Sequence, residues 1–189
     1  MTSPTRPGKG EIDLSTGGAG HVRDPLSIAP EIKASIRILI IDDERTLRES
    51  CQSVLQMDGY SVTTSARGEE ALDLLRQRPF DIVLVDLYMT QVPGLEILRA
   101  ALTANRGAIV VVMTGNPSVT TSIEALRAGA WDYLPKPFSA THLQVLVGRA
   151  SHAVMVAREA TELRQQLLRQ HSHSDTLTLI GMSPPFRRA

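Results

Sequence analysis

The sequence predicts an α/β fold in which five parallel strands alternate with five helices. Three short apolar bursts rich in β-branched residues are typical of strands covered on both faces: residues 36–41, 81–85 and 108–113. Residues 61–65 and 132–135 are weaker strand candidates. Helical periodicity fills the stretches between them, and this alternation favours right-handed crossovers, a parallel sheet and a doubly wound domain.

The helices are predicted from apolar residues that recur every three or four positions. Such residues share one face in four sets: Leu47, Cys51, Val54 and Leu55; Ala71, Leu74 and Leu75; Leu95, Leu98 and Leu102; Val119, Ile123, Leu126 and Ala130. A fifth helix is expected to begin near Ser139, an N-cap residue that follows Pro137, and no helix breaker occurs until about His171.

The later part of this last helix carries an apolar seam at alternating spacings of three and four: Ala153, Val156, Ala160, Leu163 and Leu167. A helix of roughly 30 residues is ~45 Å long, more than a domain of this size covers. Two arrangements fit the seam, a coiled coil with another helix or an amphipathic face lying on the same domain. Part of the helix must project or pair.

The composition of the chain limits the classes of protein to which it can belong. The 189 residues suffice for one domain with tails, and 20 basic residues balance 20 acidic ones. Without net charge there is no broad electrostatic attraction to nucleic acid or an anionic membrane, so we expect direct binding to neither. The single cysteine, Cys51, suits a reducing cytoplasm, and no apolar run approaches the ~20 residues of a membrane span.

The chain divides at changes of composition. Residues 1–34 contain four prolines and five glycines without periodicity, which predicts a flexible arm. We expect a folded domain over 35–152, a helical linker with coiled-coil character over 153–173, and a separate segment over 174–189.

Polar residues stand where each predicted central strand ends. Asp42 and Asp43 follow the first strand, Asp86 the third, Thr114 the fourth and Lys136 the fifth. In an open parallel sheet, ligands bind beyond the carboxyl ends of the strands, and the sheet brings these ends to one rim. An acidic pair after a strand is by itself more often turn chemistry. The joint placement indicates a functional site.

The chemistry of this site follows from charge. Converging carboxylates repel one another and favour a hard divalent cation, Mg²⁺ or Mn²⁺. Beside such a cation, Asp86 has the position of a nucleophile that forms an aspartyl phosphate. The Lys136 ammonium supplies positive charge to phosphoryl oxygens, and the Thr114 hydroxyl can donate a hydrogen bond to one of them.

Four motifs resemble the receiver domain of bacterial two-component response regulators: IIDDE (40–44), VDLYM (85–89), MTG (113–115) and YLPKPF (133–138). The resemblance covers roughly residues 36–152 and implies a flavodoxin-like fold with strand order 2-1-3-4-5. It also implies that a sensor histidine kinase phosphorylates Asp86. The chain departs from the usual pattern in the loop after Asp86, with Thr90 in place of proline and Pro93 in place of aspartate.

The resemblance further implies the roles of individual residues. Asp43, Asp86 and the backbone carbonyl of Tyr88 would hold Mg²⁺, with Asp42 acting largely through water. The peptide bond before Pro137 would be cis.

A conformational switch is also implied by the resemblance. On phosphorylation Thr114 would move toward the phosphoryl group and the Tyr133 ring would swing inward, changing the face formed by the fourth helix, fifth strand and fifth helix. That face, called α4-β5-α5 in the family, would then bind a second copy or another partner. The alternative for Tyr133 is an ordinary half-buried ring.

The chain is also similar to the N-terminal part of NtrC-type activators, in which a receiver and helical linker precede an ATPase that remodels polymerase carrying sigma-54. This likeness is carried by GAWDYLPKPF (129–138), the long helix and LIGMSPPFRRA (179–189), and it makes residues 174–189 the start of a truncated AAA+ module. No G-x-x-x-x-G-K-[ST] motif occurs, so ATP hydrolysis is not expected and the chain is predicted to be a phosphoacceptor switch rather than an enzyme.

Two rival functions fit the sequence less well. A haloacid-dehalogenase-like phosphatase needs a second acid two places after the nucleophile, where this chain has Tyr88, and its paired acids come last in the chain. A receiver that only binds partners, without phosphorylation, would not need the acid pair, the acceptor, the threonine and the lysine together.

Overall fold

The computed structural model describes residues 28–116 and 118–178, with side chains through residue 169. Five strands are present: β1 (Arg37–Ile41), β2 (Ser61–Ser65), β3 (Ile82–Asp86), β4 (Ile109–Thr114) and β5 (Asp132–Pro135). The described residues also form six helices: α1 (Pro30–Ser35), α2 (Arg45–Met57), α3 (Gly68–Gln77), α4 (Gly94–Ala104), α5 (Val119–Arg127) and α6 (Ala140–Thr178).

The strands form one parallel sheet in the order β2-β1-β3-β4-β5. This confirms the predicted flavodoxin-like class with its long C-terminal helix. The register aligns the carboxyl ends of the central strands, pairing Asp86 with Met113 and Thr114 with Pro135. Residues at these ends therefore share one rim of the sheet.

Helices cover both faces of the sheet, because alternate side chains of each strand point to opposite sides. On one face Ile38 and Ile40 contribute to a core with α2, α6 and the side chain of Ile32 from α1. On the other, Leu39 and Ile41 lie in a core with α3, α4 and α5. All five residues of β3 are buried, as expected for the central strand of a doubly wound sheet.

The N-terminal arm was predicted to extend to residue 34, and this boundary is wrong. Residues 30–35 form α1, which begins with a proline at its first position, a place where the missing N–H costs nothing. Ile28 is buried and Ile32 packs against the core, so hydrophobic burial holds this short helix on the domain. Residues 1–27 lie outside the described part of the chain.

The last helix begins as predicted and continues further. Ser139 Oγ accepts a hydrogen bond from the His142 amide, which caps the first turn. The domain boundary at 152 is too early, because Val154 is buried and Arg158 pairs with Asp81. The helix α6 continues to Thr178, five residues past the predicted end of the linker at 173. Of the predicted AAA+ start, residues 179–189 lie outside the described residues.

The apolar seam does not lie against the domain. Val156 is 66% exposed and Leu163 is 53% exposed. The buried face of α6 is a different one: Leu143, Leu146, Val147, Ala150 and Val154. The arrangement in which the seam covers its own domain is therefore not the one observed. Among the described helices, none has the length and apolar character that crossing a bilayer requires.

Candidate functional site

Three carboxylates meet at the carboxyl-terminal rim of the sheet. Asp42 and Asp43 follow β1, and Asp86 is the last residue of β3. Oxygen atoms from the three groups lie within 4.8 Å of one another. Asp42 and Asp86 are buried, whereas Asp43 is exposed to solvent. The predicted convergence of these residues is thus present in the fold.

Lys136 places an ammonium group between two of the carboxylates. Its Nζ lies 2.7 Å from Asp42 Oδ2 and 2.8 Å from Asp86 Oδ2. The Lys136 amide donates to the Thr114 carbonyl oxygen at 2.7 Å, which ties the residue after β5 to the end of β4. The side chain is only 14% exposed, so this cation acts in a region of reduced dielectric.

Burial and ion pairing shift the pKa values of Asp42 and Lys136. Burial raises the pKa of the Asp42 carboxyl, although the Lys136 ammonium and the Glu44 amide oppose this change. Burial would lower the pKa of Lys136, but hydrogen bonds and attraction from Asp42 and Asp86 outweigh it and raise the pKa overall. Lys136 is therefore a cation at neutral pH and not a general base.

Backbone amides fix the orientation of both buried carboxylates. The Glu44 amide donates to Asp42 Oδ1 at 2.9 Å, and the Tyr88 amide donates to Asp86 Oδ1 at 3.1 Å. Arg48 also donates to the Asp42 carbonyl oxygen at 2.7 Å. Each aspartate accepts the amide two residues ahead of it, a local turn that such side chains favour. The carboxylates are therefore held before any ligand arrives.

Thr114 and Tyr133 complete the set of predicted residues. Thr114 is 2% exposed, and its hydroxyl oxygen accepts the Asn116 amide at 3.3 Å, which leaves the hydroxyl proton free to donate elsewhere. Tyr133 lies on β5 beside Val112, with its side chain 38% exposed. The Lys136–Pro137 peptide bond is cis, as the resemblance implied.

Two residues at this rim were not predicted to matter. Thr90 Oγ1 donates to Asp43 Oδ2 at 2.8 Å across the rim. Gly94 lies against the backbone of the acceptor, since a Cβ there would be 2.8 Å from Leu87 Cα and would overlap the Asp86 carbonyl oxygen. In the sequence, a glycine such as Gly94 in the loop after the acceptor strand is a signal that two backbone segments approach closely. The Thr90 contact has no such signal, because it depends on how the loop folds.

The donor set fits a hard divalent cation. Three carboxylates supply oxygen ligands and negative charge on one side of the rim, while Lys136 neutralises only part of that charge. Mg²⁺ and Mn²⁺ prefer oxygen ligands of this kind and keep some coordination positions for water or phosphate. The residues present therefore match a cation that binds phosphoryl groups.

Comparison with known proteins identifies the class to which this architecture belongs. Residues 38–148 match the response regulator receiver domain family. The match spans more than half of the chain, and the chain belongs to this family. Receivers of this family are the phosphorylated partners of histidine kinases in two-component signalling.

Individual relatives agree with this assignment. Response regulator MprA of Mycobacterium sp. strain KMS is 41% identical over 108 residues, which is 57% of this chain and 47% of the relative. The homologue from Mycobacterium bovis strain BCG is 39% identical over 109 residues, 58% of this chain and 47% of that protein. The chain thus spans about half the length of the curated relatives it matches.

Solved structures show the same fold. A CheY-like receiver domain protein from Methanospirillum hungatei is 28% identical with a TM-score of 0.62, and the match covers 65% of this chain and 98% of that one. NtrX from Brucella abortus, solved in complex with ATP, is also 28% identical, with a TM-score of 0.63. That match covers 67% of this chain but only 29% of NtrX.

Proposed function

We propose that this chain is a magnesium-dependent phosphoacceptor in which a sensor histidine kinase transfers a phosphoryl group to Asp86. The observation that carries the proposal is the arrangement of Asp86 beside two further carboxylates and the Lys136 ammonium. Family membership supports phosphorylation-based signalling in general, and the geometry supports the particular acceptor.

The chain's own residues orient Asp86 for its attack on the phosphoryl group of the donor. A carboxylate oxygen of Asp86 forms the new O–P bond while the P–N bond to the donor histidine breaks and the imidazole takes up a proton. The Tyr88 amide and the Lys136 ammonium orient the acceptor before transfer. Lys136 then stabilises negative charge on the transferred group, and Thr114 donates a hydrogen bond to one of its oxygens.

Asp42, Asp43, Asp86 and the Tyr88 backbone carbonyl would hold Mg²⁺, or Mn²⁺ in its place. When bound, the cation supplies charge neutralisation on the phosphoryl oxygens. Because the phosphoryl group stays on the protein, the chain acts stoichiometrically, apart from assisting its own phosphorylation and dephosphorylation. In this proposal it is a switch and not an enzyme that releases product.

The switch runs from the acceptor to a surface of the domain. Phosphorylation adds up to about two negative charges at Asp86. Thr114 moves toward them, and Tyr133 leaves its half-exposed position for the space that Thr114 vacates. The face that changes is formed by α5, β5 and α6, which correspond to the predicted α4-β5-α5 face. Exposed apolar side chains on it suit a protein partner: Val119, Ile123, Leu126 and Val145.

We infer that the output is control of transcription in the cytoplasm by a homodimer. The exposed seam on α6 and the changing face offer two surfaces for a second copy. An NtrC-type, sigma-54-dependent output is the form we favour. Its support is the long helix α6, together with the likeness of residues 129–138 to activators of this type.

The test is phosphorylation by a small donor. With acetyl phosphate and Mg²⁺, the wild type is expected to gain the mass of one phosphoryl group, and Asp86→Asn to gain none. Asp73→Asn, a matched change on the exposed surface of α3, serves as the control and should be modified like the wild type. Equal modification of Asp86→Asn would place the acceptor elsewhere. A wild type that takes up neither phosphoryl group nor beryllofluoride would favour a receiver that only binds partners.

A further inference from the structure

We propose that Thr90 is a positioning residue that holds the Asp43 carboxylate ready for a divalent cation, an inference that rests on the function proposed above. Thr90 Oγ1 lies 2.8 Å from Asp43 Oδ2. An ionised carboxylate only accepts hydrogen bonds, so the Thr90 hydroxyl is the donor. The contact joins the end of β1 to the loop that follows the acceptor strand.

Asp43 differs from the other two carboxylates in how it is held. Asp42 and Asp86 are buried, and each accepts a backbone amide and is ion-paired with the Lys136 ammonium. Asp43 is exposed, and within residues 28–116 and 118–169 the structure gives its carboxylate one hydrogen-bond donor, Thr90. An exposed carboxylate samples several rotamers. Restricting it to one rotamer when a cation binds costs conformational entropy, and this cost weakens binding. The Thr90 hydroxyl restricts this freedom in advance.

The loop holds Thr90 in place from both sides. Two residues earlier, the Tyr88 amide is bonded to Asp86. Two residues later, Val92 is buried so closely against Gly68 that a Cβ on this glycine would lie 2.9 Å from Val92 Cγ2. The backbone on either side of Thr90 is thus fixed, although the threonine itself is exposed. Its hydroxyl is presented to Asp43 by the loop.

The hydrogen bond leaves coordination capacity on Asp43. Oδ2 accepts from Thr90, while Oδ1 and the remaining lone pair of Oδ2 stay available to a cation. Hydrogen-bond partners that orient metal ligands typically change metal affinity by about 10–100-fold when removed. A proline at this position, the residue usual in the family pattern, has no hydroxyl to donate.

Mg²⁺ affinity measured by titration calorimetry tests the assignment directly. Thr90→Val keeps the shape of the side chain but removes the donor, and we expect affinity to fall about ten-fold. Thr90→Ser keeps the hydroxyl and should bind like the wild type. Thr103→Val is the matched control, because Thr103 is also exposed and its hydroxyl bonds only the Arg99 carbonyl oxygen within α4.

The rate of phosphorylation by acetyl phosphate separates orientation of a metal ligand from a change in loop shape. For Thr90→Val the rate should be low at limiting Mg²⁺ and return to the wild-type value at saturating Mg²⁺. A folded Thr90→Val with wild-type Mg²⁺ affinity, or a rate defect that persists at saturation, would overturn the role of Thr90 and leave the proposed function intact. A wild type that neither binds Mg²⁺ nor becomes phosphorylated at Asp86 would overturn both.

Discussion

The Lys136 ammonium is shared between two carboxylates at the rim of the sheet. Asp42 is fully buried and Asp86 is nearly so, and both lie within hydrogen-bonding distance of Lys136 Nζ. Removing one partner of a buried pair leaves an uncompensated charge, which costs more than the pair itself contributes. The stability of this part of the domain therefore depends on the positive charge of Lys136 and on any divalent cation bound beside it.

Lys136→Met should lower the free energy of unfolding by about 1–3 kcal/mol in the absence of divalent cation. Saturating Mg²⁺ should restore much of this loss, because the cation replaces the missing positive charge. Urea unfolding with and without Mg²⁺ measures both effects. Lys33→Met is the control, since Lys33 lies over the Tyr60 ring away from the carboxylates. A Mg²⁺ response no larger than that of the wild type would contradict this account.

At the scale of elements, α6 leaves the domain at Arg158. Its guanidinium lies 2.8 Å from Asp81 Oδ1 and donates to Ser35 Oγ at 3.2 Å. Asp81 Oδ2 in turn accepts the Arg37 amide at 2.9 Å. The end of α1, the starts of β1 and β3, and the projecting helix thus meet at one buried carboxylate. Residues 159–169 beyond this point are exposed.

We expect Arg158→Gln to cost about 1 kcal/mol of stability, a modest value because the side chain is partly exposed. Asp81→Asn should cost more, since this carboxylate accepts from Arg37 on β1 as well as pairing with Arg158 on α6. Hydrogen exchange of the α6 amides around residue 158 should accelerate in both variants, because the helix loses an ion pair that joins it to the domain. Arg164→Gln, on the exposed part of α6, should leave exchange unchanged. Wild-type exchange in Arg158→Gln would show that the ion pair does not hold the helix.

At the scale of the whole molecule, α6 is longer than the domain can cover. Its 39 residues span about 58 Å. One face is buried on the domain up to Val154, and the seam carrying Val156 and Leu163 faces solvent. Such a seam buries its apolar area when it meets another helix, and a second copy supplies a matching one.

Leu163→Glu should weaken self-association at least about ten-fold, because it places a charge in an apolar helix contact. Sedimentation equilibrium over a range of protein concentrations measures this. Met57→Glu is a suitable control, since Met57 is 88% exposed on α2 and lies outside the seam. Equal association of the two variants would exclude the seam as the contact between copies.

The fold class and most of the residues at the rim could be predicted from the amino-acid sequence alone. Short β-branched bursts that alternate with helical periods are typical of strands buried on both faces, so a parallel sheet with helical crossovers could be predicted from the pattern. The residues at the strand ends then had to share one rim, and Asp42, Asp43, Asp86 and Lys136 do so in the structure. Local pattern was enough here because strand direction fixes where each end lies.

Contacts between segments distant in sequence could not be predicted, because they depend on how the whole chain folds. Thr90 meets Asp43, and Arg158 meets Asp81, through the path of a loop and the direction of a helix that no periodicity encodes. The helix at 30–35 was likewise missed, because its stability comes from burying Ile28 and Ile32 on the domain and not from its own short sequence. Packing of the whole chain, rather than local propensity, supplies the free energy that fixes these features.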